Sequence, residues 1–398
     1  MKKTVFLVDM NSFFISCEAL RHPEIADKPA AVAGDPKNRR GIILTANYEA
    51  RKSGIKTTMP VQQALRLCPG LQLIPPDHRF YEDKSREVMR LLCSYTPVIE
   101  QNSIDEAWLD MTGCQGLFGT PLEAARNIMD NIKSNLGLNC SIGISENKFL
   151  SKMASEMKKP LGITELWKKD IEKKLWPLPL AAMYGIGRQT AEKLNDMGLK
   201  TIGDIAVYDK ARLVKKLGKF GGELYELANG NDYSAVCPRD EEDIKSIGRS
   251  LTLACDITRL EEARPIILKM SEEVSAAARK HGKKGHTVQV TIKFSNFKTI
   301  TRQASVKSTC VTNDIYAAGM KLLRNNWDGT PARLLGISLS GFEEETAMEQ
   351  LSLFDTMNME RPHKKYEKLE NTLDEIREKY GSGIINRAVF IIKEKGEK

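Results

Sequence analysis

Hydrophobic and polar positions along the chain repeat with two different periods, and each period predicts an element type. The mostly apolar run of residues 3–10 is typical of a central strand, and strand-like segments follow in residues 97–111, interrupted near Ser103, and in residues 140–145. Apolar residues with helical spacing predict helices over 122–136 and 147–158. Helices and strands that alternate in this way predict an α+β domain of the split βαβ type.

A second mixed pattern occupies residues 245–341 and predicts a separate small α+β domain. Its elements follow the order β-α-β-β-α-β. The strand-like segments are 246–256, 287–294, 303–308 and 333–340, and the helix-like segments are 263–281 and 313–325.

The segments around these two domains differ in composition. Residues 21–77 are rich in Pro and Gly and indicate a small inserted subdomain, and residues 169–234 contain short helices separated by Gly. The polar, charged segment 235–244 is typical of a linker, and residues 342–398 form a tail of mixed charge.

Length and composition narrow the class of protein. A chain of 398 residues with 41% hydrophobic and 28% charged residues predicts several folded domains. No apolar run is long enough to cross a membrane, and Asp9 ends the first apolar stretch too early for a signal peptide. The eight Cys residues are scattered without a C-x-x-C pair, so we expect reduced thiols and a cytoplasmic protein.

Positive charge is concentrated in the second domain. Residues 245–341 hold 16 Lys and Arg against 7 Asp and Glu, a net charge of +9, whereas the whole chain carries +8. The rest of the chain is therefore close to neutral. A segregated basic domain is typical of a protein that binds a polyanion, although a solvated Lys-rich surface has the same composition.

Three carboxylates stand at the ends of core strands. Asp9 closes the first strand, and Asp105 and Glu106 lie at or just after a predicted hairpin turn. Carboxylates in such positions are costly unless positive charge meets them, and their oxygen atoms suit a hard divalent cation, in particular a two-metal site. Taken alone, an Asp-Glu pair at a turn is more often simply solvated.

Five short motifs support the metal interpretation. Together and in this order they resemble the Y-family (translesion) DNA polymerases, including their bacterial members; the motifs are Val8–Phe14, Thr45–Arg51, Ser103–Ala107, Gly143–Lys148 and Lys158–Gly162. The resemblance implies an α+β multidomain fold. Its parts would be a palm (1–20 and 78–168), small fingers (21–77), a helical thumb (169–234), a linker (235–244) and a little finger (245–341).

The resemblance also implies roles for individual residues. Asp9, Asp105 and Glu106, with the backbone carbonyl of Met10, would hold two Mg²⁺ ions, for which Mn²⁺ could substitute. The β- and γ-phosphates of a deoxynucleoside triphosphate (dNTP) would be held by Thr45, Tyr48, Arg51 and Lys159. Phe14 would be the steric gate that excludes ribonucleotides, while its neighbour Phe13 would face the core.

DNA contacts are expected in two regions. Gly185 and Gly187 lie between helix-like segments 178–184 and 188–197, a helix-hairpin-helix pattern whose backbone N–H groups approach DNA phosphates. Residues 217–222 resemble a second, degenerate hairpin, for which a plain turn is an equal alternative. In the basic domain, the candidates are Arg279, Lys280, Lys283 and Lys284.

The tail contains a peptide, residues 350–355, that resembles the segment by which bacterial polymerases bind the sliding clamp (the β subunit). Its candidate contacts are Gln350, Leu351, Leu353 and Phe354. Further on, an apolar stripe from Tyr366 to Tyr380 predicts an amphipathic helix that packs back on the protein. We expect a monomer whose partners are primer–template DNA, dNTP and the clamp, without a membrane.

Together these features favour a lesion-bypass DNA polymerase of low fidelity without proofreading. Two alternatives share some of them. A nucleotidyl cyclase also pairs carboxylates on a palm-like sheet but has no use for the Gly185–Gly187 hairpin or the basic domain. A non-catalytic clamp adaptor would be expected to have lost its metal ligands, whereas Asp9, Asp105 and Glu106 are all present.

Overall fold

The computed structural model describes residues 3–35, 41–238, 244–342, 360–381 and 383–388. The chain divides into two compact units, one formed by residues 1–36 and 41–239 and the other mainly by residues 240–398. Within the described residues, no helix has both the length and the apolar character needed to cross a membrane.

The first unit begins with the strand that carries Asp9 and continues into a small three-stranded subdomain. Strand β1 (Val5–Met10) is buried along its whole length and leads into α1 (Phe13–Arg21). The subdomain follows, with β2 (Ala30–Ala33), β3 (Ile43–Ala46), α2 (Tyr48–Lys52), α3 (Val61–Leu67) and β4 (Gln72–Ile74). Its strand order is β3-β2-β4, in the part of the chain predicted as fingers.

The larger sheet of this unit is built from β1 and the elements that follow the subdomain. These are α4 (His78–Leu92), β5 (Ile99–Gln101), β6 (Glu106–Asp110), α5 (Gln115–Phe118), α6 (Pro121–Leu136), β7 (Cys140–Ser145), α7 (Lys148–Met157) and β8 (Ile163–Glu165). The strand order is β5-β6-β1-β7-β8, with β1 antiparallel to both of its neighbours. The sequence pattern predicted β7 with these bounds and α6 and α7 to within one residue at each end.

Successive side chains of β1 point to opposite faces of the sheet. Phe6 and Val8 belong to the core formed with α1, α4 and α6. Leu7 and Asp9 point to the opposite face because successive side chains alternate across a sheet. Helix α7 lies against β7 and β1. Gly143 of β7 permits this contact, because a Cβ atom there would lie 1.9 Å from the carbonyl oxygen of Ser151.

Five short helices complete the first unit: α8 (Ile171–Lys174), α9 (Arg188–Asp196), α10 (Ile202–Val207), α11 (Lys210–Leu217) and α12 (Lys219–Ala228). The prediction of a helix over 178–184 is wrong, since the structure has only a 3₁₀ turn at Leu180–Ala182. Pro179 explains the difference: it lacks an N–H donor and biases the preceding residue away from helical geometry.

The second unit has the predicted order β-α-β-β-α-β, followed by one more helix. Its elements are β9 (Ser246–Ile257), α13 (Leu260–Lys280), β10 (Gly285–Phe294), β11 (Thr299–Thr309), α14 (Thr312–Asn326), β12 (Ala332–Phe342) and α15 (Glu360–Tyr380). The sheet order is β11-β10-β12-β9, and α13 and α14 pack on one face of it. Helix α15 contacts α13.

Candidate active site

Strand pairing brings the predicted carboxylates together. Asp9 of β1 lies directly opposite Glu106 of β6 in the antiparallel register, and both residues are buried. The backbone N–H of Met10 donates a hydrogen bond to the carbonyl of Asp105 at 2.9 Å. The turn between β5 and β6 therefore sets Asp105 and Glu106 beside the end of β1.

All three carboxylates line one cavity of about 350 Å³. The same cavity is lined by all four residues predicted to hold nucleotide phosphates, which are Thr45, Tyr48, Arg51 and Lys159. Thr45 comes from β3 and Tyr48 and Arg51 from α2, whereas Lys159 follows α7. Predicted site residues from four separate parts of the sequence (9, 45–51, 105–106 and 159) thus line the same cavity.

Two lysines hold the carboxylates in place. Lys159 Nζ lies 2.8 Å from Asp9 Oδ1, and Lys152 Nζ lies 3.2 Å from Asp9 Oδ2. Lys152 also donates to Glu106 and, at 3.0 Å, to Glu156 Oε1. Asn102 donates to the second oxygen of Glu106, and the hydroxyl of Ser103 donates to Asp105 at 2.5 Å.

Burial and neighbouring charges both shift the pKa values of these groups. Burial raises the pKa of Asp9 above its usual value, although Lys159 and Lys152 oppose this. Burial also raises the pKa of Asp105, and the charge of Asp9 adds to the effect. Burial would lower the pKa of Lys152, but the charge of Asp9 and the hydrogen bond to Glu106 raise it instead. The site holds more negative charge than its lysines neutralise.

The donor set fits a hard divalent cation. Carboxylate oxygens and a backbone carbonyl are the ligands that Mg²⁺ prefers, and the desolvated carboxylates would be stabilised by an added positive charge. In the described part of the chain, however, no three His, Cys, Asp or Glu side chains form a ready-made metal cluster. Lys159 and Lys152 contact both carboxylate oxygens of Asp9, and Lys152 contacts one oxygen of Glu106.

The phosphate-side residues are fixed by local contacts in the fingers. The side chain of Asn47 caps α2 by accepting a hydrogen bond from the N–H of Ala50 at 2.9 Å. Arg51 Nε donates to the carbonyl of Ala46 at 3.0 Å, and its guanidinium carbon lies 4.9 Å from the centre of the Tyr48 ring. These contacts hold Arg51 against Tyr48 on the helix that borders the cavity.

Phe14 lies in the first turn of α1, next to Phe13. Its ring stacks on that of Tyr81, with centroids 4.4 Å apart and planes 14° apart. The Tyr81 hydroxyl in turn donates to buried Glu18 at 2.6 Å. Phe13 is buried in the core, as expected, but it also lines the cavity, whereas Phe14 is not among the lining residues. The gate role of Phe14 therefore stays a prediction.

The thumb turn has the exposed backbone that a phosphate contact requires. Gly185 and Gly187 are both exposed, and a Cβ atom at either position would meet no other atom within 4 Å. Gly185 has a φ of +93°, which favours glycine. Gly187 caps α9 without a side-chain hydrogen bond, so the first N–H groups of this helix lack a side-chain cap.

The basic residues at the end of α13 do not form one surface. The Arg279 side chain is only 7% exposed and is paired with Glu370 and Asp374 of α15. Lys284 Nζ lies 2.8 Å from Glu367, whereas Lys280 is exposed and Lys283 half-buried. We therefore do not retain Arg279 as a DNA contact, because its charge is already neutralised within the domain.

The other face of the second sheet is polar. Along β10, Val288, Val290 and Ile292 are buried against the helices, so the alternate side chains point away from them. Cross-strand pairs on that outer face are Thr287 with Ser305, Gln289 with Gln303 and Thr291 with Thr301. The predicted clamp peptide, with Gln350, Leu351, Leu353 and Phe354, lies outside the described residues.

Family models match most of the chain. The impB/mucB/samB family matches residues 8–156, and the C-terminal domain of the same family matches residues 244–353. A model described as the DNA polymerase-iota thumb domain matches residues 182–232. These matches cover most of the sheet that carries the carboxylates, the thumb turn, and the four strands and helices α13 and α14 of the second unit.

Relatives extend the match over the full length. The chain is 58% identical to a DNA polymerase IV of Clostridium kluyveri, over 99% of this chain and 100% of the relative. The chain belongs to the Y-family of DNA polymerases. Another relative, a DNA polymerase IV of Alkaliphilus oremlandii, is 54% identical over 99% of this chain and 100% of its own. The structure also resembles a solved Y-family DNA polymerase chimera, with a TM-score of 0.77, 28% identity and coverage of 85% of this chain and 99% of the other.

Membership of the Y-family confirms the predicted α+β architecture of palm, fingers, thumb and little finger. It also confirms the predicted activity, which is that of a DNA-directed DNA polymerase for translesion synthesis. It also implies dependence on divalent metal in general. The alternatives of a cyclase and a non-catalytic adaptor are thereby set aside.

Sequence reasoning missed several residues of this Y-family site. Lys152, Asn102 and Ser103 hold the carboxylates, and Tyr81 and Glu18 support Phe14. One signal was available for Lys152, since it stands four residues before Glu156 and therefore shares a helix face with it.

Proposed function

We propose that Asp9, Asp105, Glu106 and the carbonyl of Met10 hold the two metal ions of this polymerase, Mg²⁺ or in its place Mn²⁺. The observation that carries this proposal is the register pairing of Asp9 with Glu106 in a cavity that Arg51 and Lys159 also line. When bound, two such ions activate a primer 3′-hydroxyl and stabilise the leaving pyrophosphate.

The protein's own groups would bind and orient the nucleotide. Arg51 offers a planar fork for two phosphate oxygens, and Lys159 offers a point charge. Tyr48 supports Arg51 by its ring contact and, with Thr45, presents a hydroxyl to the same cavity. Lys159 follows the end of α7 and its side chain is 22% exposed, so it can exchange Asp9 for a phosphate.

Phe14 is proposed as the steric gate. The stack on Tyr81 fixes the plane of its ring, and the hydrogen bond from Tyr81 to Glu18 fixes Tyr81. A ring held in this way does not yield to a 2′-hydroxyl, which would have neither space nor a hydrogen-bond partner.

For DNA we propose two sequence-independent contacts. The N-terminus of α9 at Gly187 offers uncapped N–H groups to a backbone phosphate. In the second unit, the Ser, Thr and Gln side chains of the outer sheet face would bind phosphate oxygens, with Lys280, Lys283 and Lys284 adding charge at the domain edge. Arg279 is excluded for the reason given above.

The remaining proposals concern partners and location. We propose that residues 350–355 bind the sliding clamp, with Leu351, Leu353 and Phe354 in apolar pockets and Gln350 at their rim. The enzyme would act as a monomer. It would be located in the cytoplasm, and its eight unpaired Cys residues agree with this location.

A primer-extension assay tests the proposed function as a whole. With Mg²⁺, the enzyme should extend primers on undamaged templates and insert nucleotides opposite an abasic site. Asp105→Asn should abolish both activities. Extension that is equally fast without any divalent cation, or in the Asp105→Asn variant, would contradict the metal-ligand assignment.

A further inference from the structure

Lys152 occupies the centre of the carboxylate cluster. Its ammonium group contacts Glu106, Asp9 at 3.2 Å and Glu156 at 3.0 Å, and only 11% of the side chain is exposed. A buried ammonium that contacts three carboxylates places a positive charge between them and offsets their mutual repulsion.

The two lysines of the site differ in their freedom to move. Lys152 lies within α7, which is held directly against β7 at Gly143, and its neighbours Ser151 and Met153 are buried. Lys159 lies beyond the end of this helix and is twice as exposed as Lys152, at 22% against 11%. Lys159 can therefore turn toward a phosphate, whereas Lys152 is fixed beside Asp9 and Glu106.

We propose that Lys152 is an internal counter-ion that competes with divalent cations for Asp9 and Glu106. This inference rests on the proposed assignment of these residues as metal ligands. A cation that enters the cluster must share oxygens with a fixed ammonium and is repelled by its charge at short range. The negative charge of a bound nucleoside triphosphate offsets this repulsion. Because of Lys152, the metal ions therefore bind stably only when the nucleotide is also present.

The test is a titration of the full chain with Mn²⁺, followed by electron paramagnetic resonance, without DNA or nucleotide. Lys152→Gln removes the charge and keeps hydrogen-bond donors, and should bind Mn²⁺ about tenfold more tightly than the wild type. Lys152→Arg keeps the charge and should bind as the wild type does.

Lys148 provides a matched control on the same helix. It lies about one turn earlier on α7 and is paired with Glu100 at 2.9 Å, outside the cavity lining. Lys148→Gln should leave Mn²⁺ affinity unchanged. If Lys152→Gln does not fold, Lys152→Met, which has a similar length and no charge, is interpreted in the same way.

Mn²⁺ binding to Lys152→Gln that equals or is weaker than wild-type binding would overturn the inference. Asp105→Asn separates this result from failure of the metal site itself. If Asp105→Asn loses Mn²⁺ binding while Lys152→Gln matches the wild type, the ligands are correctly assigned and Lys152 does not compete. If Asp105→Asn binds Mn²⁺ normally, the ligand assignment fails as well.

Discussion

Two clusters of buried charge, one in each unit, use the same kinds of side chain with different results. In the first unit, Asp9, Asp105 and Glu106, together with the exposed carboxylate of Glu156, face the two ammonium groups of Lys152 and Lys159. In the second unit, Arg279 lies between Glu370 and Asp374 of α15 and also donates to the carbonyl of Cys310 at 2.9 Å.

The second cluster is closed by hydrogen bonds. The Glu370 carboxylate accepts from the N–H of Thr312 at 3.1 Å, at the start of α14, where Val311 offers no side-chain cap. Glu370 therefore replaces a missing cap and balances Arg279 at the same time. The first cluster instead opens on a cavity of about 350 Å³, and burial raises the pKa of Asp9 and Asp105.

The comparison shows that clusters of charged side chains can serve two different purposes. A cluster with excess carboxylate that opens on a cavity is prepared for an added cation. A cluster whose charges and hydrogen bonds are satisfied internally joins structural elements. Substitutions in the two clusters should therefore change different measured quantities.

The largest effect is expected in the open cluster. Asp105→Ala or Glu106→Ala should lower single-turnover nucleotide incorporation by more than about a thousandfold, because each removes a proposed metal ligand that acts on the chemical step. DNA affinity, measured by fluorescence anisotropy, should largely survive. Incorporation within tenfold of wild type in either variant would contradict the two-metal assignment.

Substitutions in the second cluster should change the stability of the protein rather than the rate of nucleotide incorporation. Glu370→Ala leaves Arg279 without its buried partner and the N-terminus of α14 without a cap, and should lower the free energy of unfolding by about 3–5 kcal/mol. Calorimetry measures this, with Glu375→Ala on the exposed side of α15 as control. Equal stability of the two variants would show that α15 is not a structural part of the domain.

A change in the tail should leave both clusters undisturbed. Replacing Leu353 and Phe354 with Ala removes two apolar anchors, each worth roughly 1.5–3 kcal/mol when buried. Stimulation by the sliding clamp should disappear, while synthesis without the clamp and thermal stability stay as in the wild type. A titration that finds undiminished clamp binding would refute the assignment of residues 350–355.

Substitution of Phe14 tests the selection of deoxynucleotides over ribonucleotides, and it leaves the charges of the first cluster unchanged. Phe14→Ala should raise ribonucleotide incorporation by roughly a hundredfold and lower deoxynucleotide incorporation only modestly, since the ring excludes the 2′-hydroxyl. Phe13→Ala is the comparison variant: Phe13 is buried in the core and also lines the cavity, so its loss should mainly reduce stability and should not selectively raise ribonucleotide incorporation. Unchanged ribonucleotide rejection in single-turnover kinetics of Phe14→Ala would place the gate at another residue.

The sequence was most informative where a local pattern determines the result. The apolar run that ends at Asp9 predicted β1, and the Asp105-Glu106 pair after a turn predicted the carboxylates that line the cavity. Both depend on neighbouring residues and on sheet alternation, which a sequence displays directly.

Contacts between distant segments were not predictable in the same way. Arg279 was expected to contact DNA because it stands in a run of basic residues in a basic domain. Its partner Glu370 lies 91 residues further along the chain, so the local sequence did not reveal that this charge is neutralised. Helix α15 does pack back on the protein, against α13, as its apolar stripe predicted. However, Tyr366, Leu369 and Tyr380 are exposed, and the polar contacts of the helix are made by Glu367, Glu370 and Asp374. Ion pairs outweigh the apolar pattern here, and no local rule reveals them.

The most direct test of the proposed metal site is to locate the cations themselves. Crystals of the enzyme with primer–template DNA, an unreactive dNTP analogue and Mn²⁺ should give two anomalous-scattering peaks about 2.0–2.3 Å from carboxylate oxygens of Asp9, Asp105 and Glu106. Peaks at other residues, or an ordered nucleotide in the cavity without any peak beside these carboxylates, would contradict the account.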